Sequence, residues 1–243
     1  MFRLGVRGSL ASAACALAAF ATTLAAADGP AVTLDVTVNG SGQSQNLSGT
    51  ATSFPSVYNY QGSLLDGGGN WLLNWDFNAS NSANAGVQAF TAGNYVIQNL
   101  SAEALEFELT VTLPVALVGP TLYGGSVSGG LTTSGPGFIS DLGGPVWTAA
   151  TGDVTVETLF DTLNVVRADP GSSSLGFESF GNPIPSLPGP DIGENISVTL
   201  KFLLGANSSA SFTSVFVARV PAPGAFALLG LSGLASIGRR RRS

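Results

Sequence analysis

The chain has no histidine, one cysteine and nine lysine or arginine residues among its 243 positions. Each scarcity closes a class of chemistry. With no histidine anywhere and Cys15 confined to the N-terminal stretch, the rest of the chain cannot assemble a Ser-His-Asp triad, a Cys-His pair or an ordinary zinc site. A lone cysteine also excludes an internal disulfide, whatever the redox compartment. Between Asp28 and Arg219 the cations are Arg167, Lys201 and Arg219, against all fifteen acidic residues of the chain, for a net charge near −12. So few cations cannot release phosphate counterions, which excludes nucleic acid as a partner, and the negative field repels anionic membrane surfaces. Helical periodicity is scarce too. No apolar pattern of period 3.6 is sustained between Asp28 and Arg219.

What is present begins with an export signal. Arg3 and Arg7 precede an Ala- and Leu-rich stretch over 10–24, followed by Ala25-Ala26-Ala27 and Asp28. A charged start, an apolar run and a small-residue site are the layout of a secretory signal peptide, with cleavage expected after Ala27; the rival reading is an uncleaved N-terminal anchor. Cys15 is not a lipidation site, because it sits inside the apolar stretch after Ser12-Ala13-Ala14, without the leucine that opens such a motif.

The body, residues 28–219, alternates with period two. Val32, Leu34, Val36 and Val38 share one face, as do Trp71, Leu73, Trp75 and Phe77, and Leu105, Phe107, Leu109, Val111 and Leu113. Runs over 154–160, 196–204 and 212–220 read the same way. Turn clusters separate them: Asn39-Gly40-Ser41-Gly42, Asp66-Gly67-Gly68-Gly69-Asn70, Gly124-Gly125, Gly143-Gly144-Pro145 and Asp169-Pro170-Gly171. Short strands with one apolar and one polar face predict an all-β fold, an antiparallel two-sheet sandwich of jelly-roll-like type with about eight to eleven strands. The proline-rich segment 168–194 predicts a long surface loop, with a seam between subdomains as the alternative. Flanking the sandwich are the N-terminal signal helix and a short hydrophobic C-terminal helix.

That C-terminal segment, residues 220–243, has three parts. Val220-Pro221-Ala222-Pro223-Gly224 is extended, since two prolines remove two backbone donors. Ala225 to Ile237 is uncharged and helix-favouring, and Arg239, Arg240, Arg241 and Arg242 follow. Thirteen helical residues span roughly 20 Å, against about 30 Å of hydrocarbon, which suits a transient span better than a permanent anchor. The arginines hold their end on the side of synthesis. Pro-x-Pro, a short apolar helix and a terminal arginine cluster together resemble the PEP-CTERM sorting tail of bacterial envelope proteins, carried here by Val220, Pro221, Pro223, Gly224 and Arg239 to Arg242. Ala222 stands where that family usually has glutamate, as a VPAPG variant. The resemblance covers about a tenth of the chain. It implies an exosortase-like processing enzyme as a partner, membrane contact through the helix before processing, and a link to exopolysaccharide. A retained tail anchor or a buried C-terminal helix are the competing readings.

Three constellations could carry chemistry. Glu106 and Glu108 share one strand face about 7 Å apart, a spacing that could suit an inverting glycosidase, but the more ordinary reading is a solvated sheet face. Trp71, Trp75, Tyr58, Tyr60, Tyr95 and Trp147 could form an aromatic platform under sugar rings. Trp71 and Trp75, however, alternate with Leu73 and Phe77 as core aromatics do, which leaves Tyr58, Tyr60 and Trp147 as the better surface candidates. Asp66 with Asn70, and Asp191 with Glu194 and Asn195, could offer oxygen ligands to calcium, but match no calcium-loop spacing and read first as turns. The expected function is a non-enzymatic structural or adhesive protein of the cell envelope, outer surface or extracellular matrix. It needs no cofactor. The alternatives are a carbohydrate-binding module acting on matrix exopolysaccharide and a glycan-cleaving enzyme.

Overall fold

A computed structural model describes residues 29–81, 88–115, 117 and 119–221. The signal peptide and the tail beyond Pro221, including Pro223, Gly224 and Arg239 to Arg242, lie outside the described residues. Every regular element in the described part is a strand. In chain order these are β1 (Val32–Val38), β2 (Ser41–Leu47), β3 (Thr50–Ala51), β4 (Tyr58–Leu65), β5 (Trp71–Ser80), β6 (Gln88–Asn99), β7 (Leu105–Pro114) and β8 (Thr121–Thr133). They continue with β9 (Gly137–Ser140), β10 (Trp147–Thr151), β11 (Val154–Leu159), β12 (Val166–Ala168), β13 (Gly171–Phe180), β14 (Leu187–Gly189), β15 (Asn195–Leu204) and β16 (Ser208–Arg219).

The strands form two eight-stranded antiparallel sheets. The first runs β11-β10-β15-β7-β1-β2, with β9 paired to the end of β15 and β12 paired to β9. The second runs β13-β8-β16-β6-β5-β4-β3, with β14 on β8. Alternation decides which faces meet. Buried positions alternate with half-exposed ones in β1, β7 and β15, so each of these strands commits one face to the interior. Aromatic pairs span the gap between the sheets: Phe107 with Trp71 at 6.3 Å, Phe202 with Phe212 at 5.1 Å, and Trp147 with Phe216 at 6.3 Å between centroids. Such pairs contribute about 0.5–1.5 kcal/mol each beyond the area they bury.

Several expectations are corrected. Sixteen strands, among the described residues, replace the eight to eleven expected. The additional ones include short or exposed strands such as β2, β3, β12 and β14, and Gly-, Ser- and Thr-rich β8, whose sequence shows no clean alternation. Segment 168–194 is no plain loop: it contains β13 and β14, both paired to β8. β13 is Ser- and Gly-rich and largely exposed, so it lacks an apolar period. The clean alternation expected over 154–160 is absent as well, since β11 is an edge strand beside a register shift in β10. Gly124-Gly125 lies inside β8, where a Cβ on Gly125 would stand 2.7 Å from both the Phe180 ring and the Val215 carbonyl. There glycine permits close packing instead of a turn. Ser41 and Gly42 already belong to β2, and the turn itself is Asn39-Gly40, with φ of 46° and 79°. Positive φ at both central residues is what a tight hairpin matched to strand twist requires.

Candidate functional site

The sandwich offers ligands two kinds of surface, a cleft at one end and the broad outer faces. The end cleft, ≈ 550 Å³, lies among the β1–β2 hairpin, the β4–β5 turn and the β6–β7 connection. Asn39, Gln43, Asp66, Asn70 and Glu103 line it, with Trp71 beneath. Asn99 anchors this end: its side-chain amide donates to the Glu103, Leu204 and Gly205 carbonyls at 2.7, 3.0 and 3.0 Å, and its Oδ1 accepts from Ser101 N and Oγ. Asp66 Oδ2 accepts from Gly68 N, Asn70 N and Asn70 Nδ2, closing the turn on itself. The hydrogen bonds from Asn70, backbone first, hold the Asp66 carboxyl below its usual range. Among the described residues, no three Asp, Glu, His or Cys side chains converge.

The aromatic platform expected from the sequence is redistributed by the fold. Trp147 is fully buried and Tyr60 is 1 % exposed, so neither presents a ring to solvent, and their surface placement is corrected. Trp147 faces inward because it opens β10, whose alternate residues are buried, and its ring meets Phe216 of β16 across the interior. Tyr60 stacks on Phe77 at 5.1 Å, and its hydroxyl donates to Pro30 O at 2.6 Å. Tyr58 is half-buried and packs against the core; Trp71 and Trp75 are core residues, as expected, and Tyr95, named with the possible platform, is buried as well. Glu106 and Glu108 do share the outer face of the first sheet, but Glu108 is paired with Lys201 at 2.9 Å. Val220, the first residue of the expected tail, seats its side chain in the core.

What sequence reading missed is the outer surface of the second sheet. Cross-strand register lines up Ser128, Thr213, Asn94, Asp76 and Gln61 across five strands. Thr213 donates to Asn94 Oδ1 at 2.7 Å, and Asn59 donates to Asp76 Oδ1 at 2.8 Å. A neighbouring row holds Gly130, Ser211, Val96, Asn74 and Ser63. The first sheet repeats the theme with Asp35, Thr110, Thr199 and Thr148 in register, the Thr110 and Thr199 hydroxyls 2.9 Å apart. The rows are hydroxyl- and amide-rich, with Asp76 the charged member on the second sheet, whereas the first sheet's outer face also carries Asp35, Glu106, Glu108 and Lys201. The signal was present in the polar halves of the alternating runs, but only strand order brings those halves side by side.

No family model matches this chain. No curated protein matches it either. Among solved structures it is similar to TmCBM61 in complex with beta-1,4-galactotriose, at 13 % identity, covering 62 % of this chain and 88 % of that one with a TM-score of 0.26. A second likeness is to infectious bursal disease virus, Gx strain, at 12 % identity over 81 % of this chain and 71 % of that one, with a TM-score of 0.19. Overlaps this loose carry no functional argument.

Proposed function

We propose that this is an exported, non-enzymatic adhesive or structural protein of the bacterial envelope or extracellular matrix, holding polysaccharide on the outer faces of a jelly-roll-like sandwich. The observation that carries this reading is the hydroxyl- and amide-rich outer face of the second sheet, whose two rows named above hold one charged residue, Asp76, on a body with fifteen acidic residues. Neutral donors and acceptors spread over a sheet suit a ligand that is itself a row of hydroxyls, and they are poorly suited to bond-breaking, which needs converging groups of perturbed acidity. The sequence resemblance of the tail to a sorting signal supplies the address: transient insertion in the inner membrane, removal by an exosortase-like enzyme, and delivery beyond it.

Incubation of the full chain with insoluble polysaccharides, followed by sedimentation and a reducing-end assay, tests the activity. Retention on at least one polysaccharide without release of reducing ends is the expected result. Retention on none sinks the adhesive reading, and release of reducing ends moves the protein to the glycan-cleaving class. Intact mass of the protein from its native host tests the address, with loss of the segment beyond about Pro223 expected and a mass ending at Ser243 overturning it.

A further inference from the structure

One edge of the second sheet carries a ring that an unbroken ladder would have hidden. In β13, Ser174 pairs with Gly130 and Gly176 with Gly129, so Leu175 is an extra residue with no partner of its own. Without that bulge Phe177 would stand opposite Val127, whose side chain is fully buried, and would point into the core. With it, Phe177 stands opposite Ser128 on the outer face and is 67 % exposed. Bulges re-aim side chains in this way, and Gly176 supplies the backbone for it at φ 103°. Phe180, three residues on, returns to the interior.

Ser128, the cross-strand partner of Phe177, lines a trough of ≈ 430 Å³ across β13, β8 and β16. Gly130 leaves its floor open, since a Cβ there would meet Ser211 Oγ at 3.3 Å and the Ser173 carbonyl at 3.8 Å. Ser128, Thr132 and Ser172 line it, and their hydroxyls make no hydrogen bond within the described protein, so their donors and acceptors are free for a ligand. No lysine, arginine, aspartate or glutamate lines the trough. Its volume falls within the usual range of small-molecule sites, a few hundred cubic ångströms upward.

We propose that this trough binds a segment of uncharged polysaccharide, with the Phe177 ring against the apolar face of one sugar and the free hydroxyls of Ser128, Thr132 and Ser172 bonded to sugar hydroxyls. The assignment rests on the adhesive reading above and locates it at one edge of the second sheet. A neutral ligand is specified because an anionic one would meet no cation in the trough and the repulsion of an acidic body. Phe54, also exposed (70 %), precedes β4 at the opposite edge of the same sheet and serves as a control.

Affinity electrophoresis of the full chain through gels containing β-glucan, galactan or xyloglucan, with polygalacturonate as the anionic comparison, tests the proposal. The wild-type chain is expected to be retarded by at least one neutral polymer and not by polygalacturonate. Phe177→Ala and Gly130→Val are each expected to weaken that retardation by about tenfold or more, whereas Phe177→Trp and Phe54→Ala leave it within about twofold. Because Phe177 is exposed, its replacement by alanine leaves the melting temperature unchanged, which separates a lost ligand contact from a lost fold. Retardation undiminished in both Phe177→Ala and Gly130→Val overturns the trough while leaving the adhesive reading in place. A preference for polygalacturonate overturns the neutral-ligand assignment, and no retardation by any polymer overturns both readings.

Discussion

Trp147 Nε1 donates a 2.7 Å hydrogen bond to Ser214 Oγ, joining β10 of one sheet to β16 of the other through the centre of the core. Both residues are buried, Ser214 at 3 % exposure. The serine interrupts the apolar run of β16 for a physical reason: an indole N–H taken out of water needs an acceptor.

Replacing Ser214 by alanine removes that acceptor and leaves the donor stranded. The expected loss is about 1–3 kcal/mol of unfolding free energy, read from denaturant midpoints, with polysaccharide binding unaffected. A loss below about 0.5 kcal/mol would mean that the bond contributes nothing to holding the sheets together.

Tyrosine ionisation gives the fold an alkaline limit. Burial, with a smaller contribution from Tyr58, pushes the Tyr60 hydroxyl up to about 12, and burial raises Tyr95 further still. In the unfolded chain these groups lose their protons near pH 10, so above that the unfolded state binds fewer protons than the folded one and stability falls. The stabilisation is therefore complete below about pH 10 and is lost as pH climbs through the folded-state values. Denaturant midpoints measured from pH 8 to 11.5 are expected to hold level and then drop. Tyr60→Phe, which cannot ionise there, makes the drop shallower while giving up the bond to Pro30 O. An equally steep drop in that variant would refute the assignment to Tyr60.

The Glu106 and Glu108 pair is expected to be inert. Lys201 and Glu108 are each about half exposed, so their ion pair contributes at most about 1 kcal/mol. A double replacement by glutamine should shift stability by less than that and leave polysaccharide retention intact. A hydrolytic activity that vanished in the same variant would restore the glycosidase reading.

Much of the sandwich was legible before any coordinates. β1, β5, β7 and β15 begin or end within a residue or so of the alternating runs, because a strand with one buried face must write that burial into every second residue. The core assignment of Trp71 and Trp75 followed from the same alternation. β2, β13 and β14 were invisible. A strand that buries little spends no apolar residues, and its pairing comes from backbone hydrogen bonds that any sequence can make. Trp147 was misplaced because it opens the five-residue β10, and Tyr60 because β4, largely exposed beyond it, carries no apolar alternation to fix its phase.

The sequence alone determined the all-β class, the absence of histidine and thiol chemistry in the body, and the acidic surface, since composition and a period of two need no third dimension to act. Tertiary structure decided which polar residues become neighbours. Ser128, Thr213 and Asn94 are separated along the chain and adjacent only because β16 lies between β8 and β6. It also decided where Phe177 points, through one unpaired residue in a ladder, a choice fixed by backbone pairing that side-chain pattern does not encode.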